Sequence, residues 1–421
     1  MAHSRWSASR HSHDNFGQRY GRQSGDGRWA SRVRSADHEL SLGRRENGNV
    51  RMTDPNEQAI DDLTALLPAL LESLDALAFF SRRLDPATFG ETLARIGAPD
   101  AALRVVRGNL RDWPQQFAEL RKRMESASDA TLTAYDVLRA IPNEPEGIRG
   151  VLRALRNLPH ALDALYPLAR GLPPINRFFL EPPSRGNAEI EARLALADAE
   201  GAGVLHSGGA PGTRGGFSLY VPEYYTAQRA WPLVVALHGG SGDGFSFLWN
   251  WLPTARAEGA IVISPSSIGR TWPLSGEDRD TPGIARIVAS VRERFSIDPT
   301  RILLTGMSDG GTFCYVSGLE PDSPFTHIAP VSAAFHPMLA QMADPARLRG
   351  LPIRITHGSY DWMFPVAIAR EAQRALADAG ACVVYDEIQD LSHTFPREAC
   401  ARILAWMNET PSRAAGEGDR A

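Results

Sequence analysis

Two spacings of hydrophobic positions divide the chain. Between residues 54 and 200 the apolar positions recur at helical intervals. Leu63, Leu66, Leu67, Leu70, Leu74 and Leu77 fall at i, i+3, i+4 and i+7, as one face of a helix requires. Leu152, Leu155, Leu158, Leu162 and Leu165 repeat the pattern, with Arg149, Arg153 and Arg156 on the opposite, polar face. Asp54-Pro55-Asn56-Glu57, Asp85-Pro86 and Asn143-Glu144-Pro145 read as helix starts, because each puts a capping side chain beside a proline that needs no N–H partner. Strand signals are nearly missing here. The spacing predicts an all-α region over 52–200 with five or six helices. A Pro-rich stretch (Pro173, Pro174, Pro182, Pro183) loosens its end, and the Gly-rich run 201–216 reads as a spacer.

From about residue 203 the period changes. Residues 217–221 read as a strand, and short, continuous apolar runs at 233–237, 261–263, 302–304, 328–331, 353–355 and 382–385 read as strands buried on both faces. Helical stretches lie between them at 283–295, 310–319, 366–379 and 396–408. Strand alternating with helix predicts an α/β fold over 201–411, a mostly parallel sheet with helices on both faces. Such sheets bind ligands beyond the carboxyl ends of their strands.

Those strand ends carry the polar groups of the region. The strand ending at Thr305 runs into Gly306-Met307-Ser308-Asp309-Gly310-Gly311, a G-x-S-x-G turn between strand and helix that lifts a serine out of the sheet. A second strand ends in His238-Gly239-Gly240-Ser241-Gly242, whose bare backbone can turn N–H groups towards a carbonyl; the N–H of Asp309 is the matching second donor. A third ends in His357-Gly358-Ser359-Tyr360-Asp361, and the last is followed by Asp390-Leu391-Ser392-His393. Ser308 as nucleophile, His393 as base and Asp361 as its orienting acid follow in the chain order of this fold. Asp386 and Asp390 compete for the acid role; Asp361 is preferred because the other two stand on the wrong connection. His238 and His357 are read as structural. Aromatics crowd the same ends: Phe245, Phe247, Trp249, Trp251, Trp272, Trp362 and Phe364. About half are expected in the core, and Trp272 and Trp362 are the expected walls of an apolar substrate pocket.

Residues 203–410 resemble the α/β-hydrolase superfamily, and within it the phospholipase/carboxylesterase and polyhydroxybutyrate-depolymerase-like serine esterases. The resemblance rests on Leu237-His238-Gly239-Gly240, Ile297-Asp298-Pro299-Thr300-Arg301, the turn around Ser308, and His357-Gly358 with Asp361 and Pro365. It implies a triad of Ser308, Asp361 and His393, an oxyanion hole of Gly240 and Asp309, and hydrolysis of carboxylic esters through an acyl-enzyme. A serine peptidase or acyltransferase on the same scaffold is the alternative. A helical interaction module with a vestigial hydrolase half is the alternative of another class.

Composition narrows the remaining classes. The net charge is -4, so nothing global favours nucleic acid or an anionic membrane. Lys122 is the single lysine, which excludes a Walker A pair and a Ser-x-x-Lys nucleophile. Cys314, Cys382 and Cys400 have no metal-ligand spacing and read as small core residues in a reducing compartment. No cofactor or metal is expected. The longest apolar stretch, 63–80, is interrupted by Pro68, Glu72 and Asp75 and is not read as a membrane span. The expected partner is a small-molecule or lipid-like ester, and the expected location is the cytoplasm. Residues 1–51, rich in Arg, Ser, Gly and His, are expected to be a disordered tail, as are 412–421. Met52 reads as the natural start, with a basic tail as the alternative.

Overall fold

The computed structural model describes residues 54–141, 147–195, 197 and 199–410. The expectations for 1–51, Met52, 143–145 and 412–421 lie outside the described residues. The first helix, α1 (Pro55–Arg82), buries Leu66, Leu70, Leu74 and Leu77 on one stripe. Its length and hydropathy alone would also suit a membrane span; in this fold that stripe packs into the protein interior. There follow α2 (Phe89–Ile96), α3 (Asp100–Val106), α4 (Ala118–Ala140), α5 (Ile148–Leu155), α6 (Asn157–Leu165), α7 (Pro173–Phe178) and α8 (Ala188–Ala195). Among the described residues these make eight helical segments, more than the five or six expected. The surplus is in short helices such as α3 and α7, which end before a full hydrophobic period shows.

The sheet has eight strands: β1 (Gly203–Ser207), β2 (Phe217–Val221), β3 (Trp231–Leu237), β4 (Ile261–Pro265), β5 (Ile297–Met307), β6 (His327–Val331), β7 (Pro352–Gly358) and β8 (Cys382–Ile388). Their order is β1-β2-β4-β3-β5-β6-β7-β8. The β1–β2 and β2–β4 pairs are antiparallel and the rest parallel. The strand β1 corrects the reading of 201–216 as a spacer. Its pairing partner lies across a Gly-rich turn, so nothing local announces it.

The interleaved helices are α9 (Gly244–Glu258), α10 (Asp280–Arg294), α11 (Asp309–Gly318), α12 (Met338–Met342), α13 (Pro345–Leu348), α14 (Val366–Asp378) and α15 (Ala399–Glu409). Three of these, α9 and the short α12 and α13, have no counterpart in the sequence pattern, and α9 is the long one among them. Pro253 sits inside it and its aromatics break the usual aliphatic stripe. Asp243 caps it, accepting from the Ser246 N–H at 2.7 Å, and Gly259 closes it at φ +85. Phe245, Phe247, Trp249 and Trp251 on α9 are all buried, so these candidate rim aromatics are core residues.

Alternation along β3 sorts its side chains. Val234 and Ala236 join one core with α9, α15 and the N-terminal helices, while Leu233, Val235 and Leu237 join the other with α10, α11 and α14. The first core is continuous from α1 to the sheet: Tyr166 meets Tyr220 and Trp249 at ring distances of 6.4 and 6.0 Å. A polar network crosses the same boundary. The Tyr166 hydroxyl donates to Glu223 at 2.8 Å; Arg256 donates to Glu223 at 2.7 Å and to the Asn176 carbonyl at 2.9 Å. A chain begun at Gly203 would expose this apolar face and strip the buried Arg256 of its hydrogen bonds to Asn176, each such bond to a charged group contributing roughly 1.5–3 kcal/mol. It is expected to be insoluble or to lose its cooperative melting transition. A soluble fragment melting within a few degrees of the whole protein would refute that.

Candidate active site

The turn from β5 to α11 places Ser308. Its backbone stands at φ 56, ψ -120, a strained conformation for a residue with a side chain. The surrounding glycines serve close approach: a Cβ on Gly310 would lie 2.4 Å from the His238 carbonyl oxygen, and one on Gly311 2.8 Å from that of Val331. α11 can therefore start directly against the ends of β3 and β6, with the strain concentrated on the serine. Ser308 is 7% exposed.

Three side chains from separate strand ends meet in one hydrogen-bonded line. Ser308 Oγ lies 2.9 Å from His393 Nε2, and His393 Nδ1 lies 3.0 and 2.9 Å from the two Asp361 oxygens. These partners assign the proton to Nδ1, leaving Nε2 to accept from the serine. Asp361 Oδ1 also accepts from the Met363 and Phe364 N–H groups at 3.0 and 2.7 Å. Burial by itself would raise the Asp361 pKa; hydrogen bonds from His393 and the Phe364 N–H outweigh it and hold the carboxyl below its ordinary range. The competing acids are engaged elsewhere: Asp386 pairs with Arg354 at 2.6 Å and Asp390 with Arg82 at 3.1 Å.

The loop after β3 faces the serine. Gly239 comes near enough that a Cβ there would lie 3.6 Å from the Ser308 Cβ. A Cβ on Gly240 would lie 2.7 Å from Asp309 Oδ2, so a side chain there would press on the Asp309 carboxylate. The Asp309 carboxylate accepts from Thr271 Oγ1 at 2.6 Å, a support that sequence pattern does not reveal. The Asp309 N–H belongs to the first turn of α11, where backbone donors have no partner within the helix. His238 donates from Nδ1 to the Gly239 carbonyl at 2.7 Å and accepts at Nε2 from the Ser267 N–H at 3.1 Å. Burial pushes its pKa down to about 4, so the ring is a neutral brace for the loop at pH 7. His357 donates to the Phe364 carbonyl at 2.8 Å, fixing the turn that carries Asp361.

Trp272 and Trp362 separate. Trp272 is 1% exposed; its indole donates to the His238 carbonyl at 2.7 Å and stacks on Phe313. It braces the loop from inside, and a substrate wall at the surface does not fit so deep a ring. Trp362 is 42% exposed and meets the His393 ring edge-on at 5.8 Å, as Phe364 does at 5.2 Å. Burial, which decides between the two, is not visible in the local sequence of either.

Residues 281–410 match the phospholipase/carboxylesterase family model. Over 149 residues the chain is 31% identical to a bifunctional acetylxylan esterase/xylanase of Neocallimastix patriciarum; the match spans 34% of this chain and only 21% of that protein. Similar solved structures include a thermostable esterase (21% identity, 47% of this chain and 59% of that one, TM-score 0.38) and a ferulic acid esterase (14% identity, 48% and 97%, TM-score 0.41). A fluorophosphonate-binding serine hydrolase of Staphylococcus aureus is similar at 16% identity over 48% of this chain and 96% of its own, with a TM-score of 0.40.

Proposed function

We propose that this chain, an α/β hydrolase of the phospholipase/carboxylesterase family through its residues 281–410, hydrolyses carboxylic esters by way of an acyl-enzyme. The observation that carries the reading is the continuous line Ser308 Oγ, His393 Nε2, His393 Nδ1, Asp361, with 2.9 Å at the serine end. Ser308 Oγ attacks the ester carbonyl carbon while its proton passes to His393 Nε2. The imidazolium formed is stabilised by Asp361, which stays ionised. The oxyanion rests on the Gly240 and Asp309 N–H groups, each such donor contributing roughly 3–4 kcal/mol of barrier lowering. Collapse expels the alcohol, which takes the proton from His393. A water, deprotonated by the same ring, then attacks the acyl carbonyl and frees Ser308. Trp362 and Phe364 flank the ring and shield it from bulk water. The three cysteines are unpaired, with Cys382 exposed, which suits a reducing compartment, so we place the reaction in the cytoplasm.

The test joins a covalent probe with a substrate panel. A fluorophosphonate is expected to label Ser308, and acyl esters to turn over faster than aminoacyl amides of matching acyl group. Labelling at another residue overturns the mechanism. Preference for the amides turns the reading to a peptidase.

A further inference from the structure

The loop that carries His393 is held on one side by the sheet and on the other by the end of α1. On the sheet side Leu391 is fully buried, and the Tyr360 N–H donates to its carbonyl at 3.0 Å. On the other side four residues flanking His393 reach the helical region. Arg82 donates from Nε to Glu398 at 2.7 Å and from its terminal nitrogen to Asp390 Oδ1 at 3.1 Å. Thr394 Oγ1 donates to the Arg82 carbonyl at 3.0 Å, taking one of the acceptors that every helix leaves open in its last turn. Ser392 Oγ donates to Asp85 Oδ2 at 3.3 Å. These partners are more than three hundred positions apart in the chain, Ser392 and Asp85 by 307.

We propose that Arg82, at the C-terminal end of α1, is a positioning residue for hydrolysis, holding the 390–398 loop so that the His393 ring meets Ser308. This rests on the serine-hydrolase reading above. His393 Nδ1 is tied to Asp361, but the backbone that carries the ring hangs between Ser392 and Thr394, both anchored to the 82–85 segment. The arginine answers two carboxylates, Asp390 and Glu398, at opposite ends of the loop. A planar guanidinium bridges two acids with donors in a fixed fork, and an ammonium, with three donors on a flexible stem, reproduces part of that pairing. The helical region is thereby part of the catalytic apparatus without touching substrate.

The experiment uses the full chain with Arg82→Ala, Arg82→Lys and Thr394→Val. Rates on a short-chain aryl ester, the rate of fluorophosphonate labelling at Ser308, and melting are measured for each. Arg82→Ala is expected to lower kcat about ten- to a hundredfold, the scale on which small misplacements of reacting groups act. KM should stay within about twofold, and labelling should slow by a similar factor, since it needs the same serine–histidine contact. Arg82→Lys should recover part of the rate, because it returns a positive charge to Asp390 and Glu398. Thr394→Val keeps the side-chain shape and loses only the hydroxyl; it should lower kcat in the same direction and carries the test if Arg82→Ala does not fold. Folded variants that keep wild-type kcat and labelling rates would overturn the proposal while leaving the hydrolase reading intact, as would an alanine loss that lysine fails to relieve. A wild-type protein that the probe does not label at Ser308 would overturn both.

Discussion

Ser308→Ala is expected to lose about a million-fold in kcat, the scale seen when the nucleophile of such a triad is removed. The oxyanion donors and substrate contacts would still act, which is why a residual rate over water remains. Stability separates this variant from a second one. The backbone at Ser308 stands at φ 56, ψ -120, which glycine adopts at little cost and alanine does not. Strain of this kind costs about 1–3 kcal/mol, part of which glycine gives back through its freer unfolded chain. Ser308→Gly should therefore be equally inactive yet more stable than Ser308→Ala by about 1 kcal/mol. Ester hydrolysis and urea unfolding of both variants check the pair. Residual activity above about 1% would remove Ser308 from the nucleophile's role.

Asp361→Asn is expected to lower kcat about ten-thousand-fold with little change in fold. Its carboxylate now accepts from His393 Nδ1 at 2.9 Å and from two backbone N–H groups. An amide there keeps the shape but can present its NH2 to Nδ1, favouring the tautomer that points a proton at Ser308, and it cannot balance the imidazolium. Asp390→Asn should cost far less, because Asp390 meets His393 only through Arg82 and the loop. Rates for the two variants, measured on one ester, decide the assignment. Equal or reversed losses would move the acid to Asp390.

The site was legible where its chemistry is local. The turn around Ser308 needs a strand, a serine and close-packed glycines within six residues, and all of that is written consecutively. The apolar runs in β3 to β7 were equally plain, because a strand covered on both faces has no polar positions to hide among; the run at 382–385 is a strand too, but as the edge strand β8 it leaves Cys382 and Val384 exposed instead of burying both faces. Gly240, proposed for the oxyanion hole, was picked out by its place after β3. The choice of Asp361 over Asp386 rested on which connection each occupies. In the structure Asp386 is turned to Arg354, a partner no spacing rule names.

Aromatics were less legible, because a tryptophan in a wall and a tryptophan in a core look alike in sequence. Trp272 and Trp362 were equivalent candidates until burial separated them. The helix α9 was hidden by Pro253 and its aromatic face, and β1 by the Gly-rich turn that separates it from its partner β2. The sequence by itself determined the helical face of α1, the parallel α/β order, and which serine, histidine and acid stand at strand ends, because each follows from periodicity or a short motif. Only the tertiary structure decided that Arg82 and Asp85 close on the loop around His393, and that the helical region and the sheet share one core. Contacts between residues hundreds of positions apart leave no periodic trace in either segment; they arise when two buried faces find each other and the polar groups at their rim are left to pair.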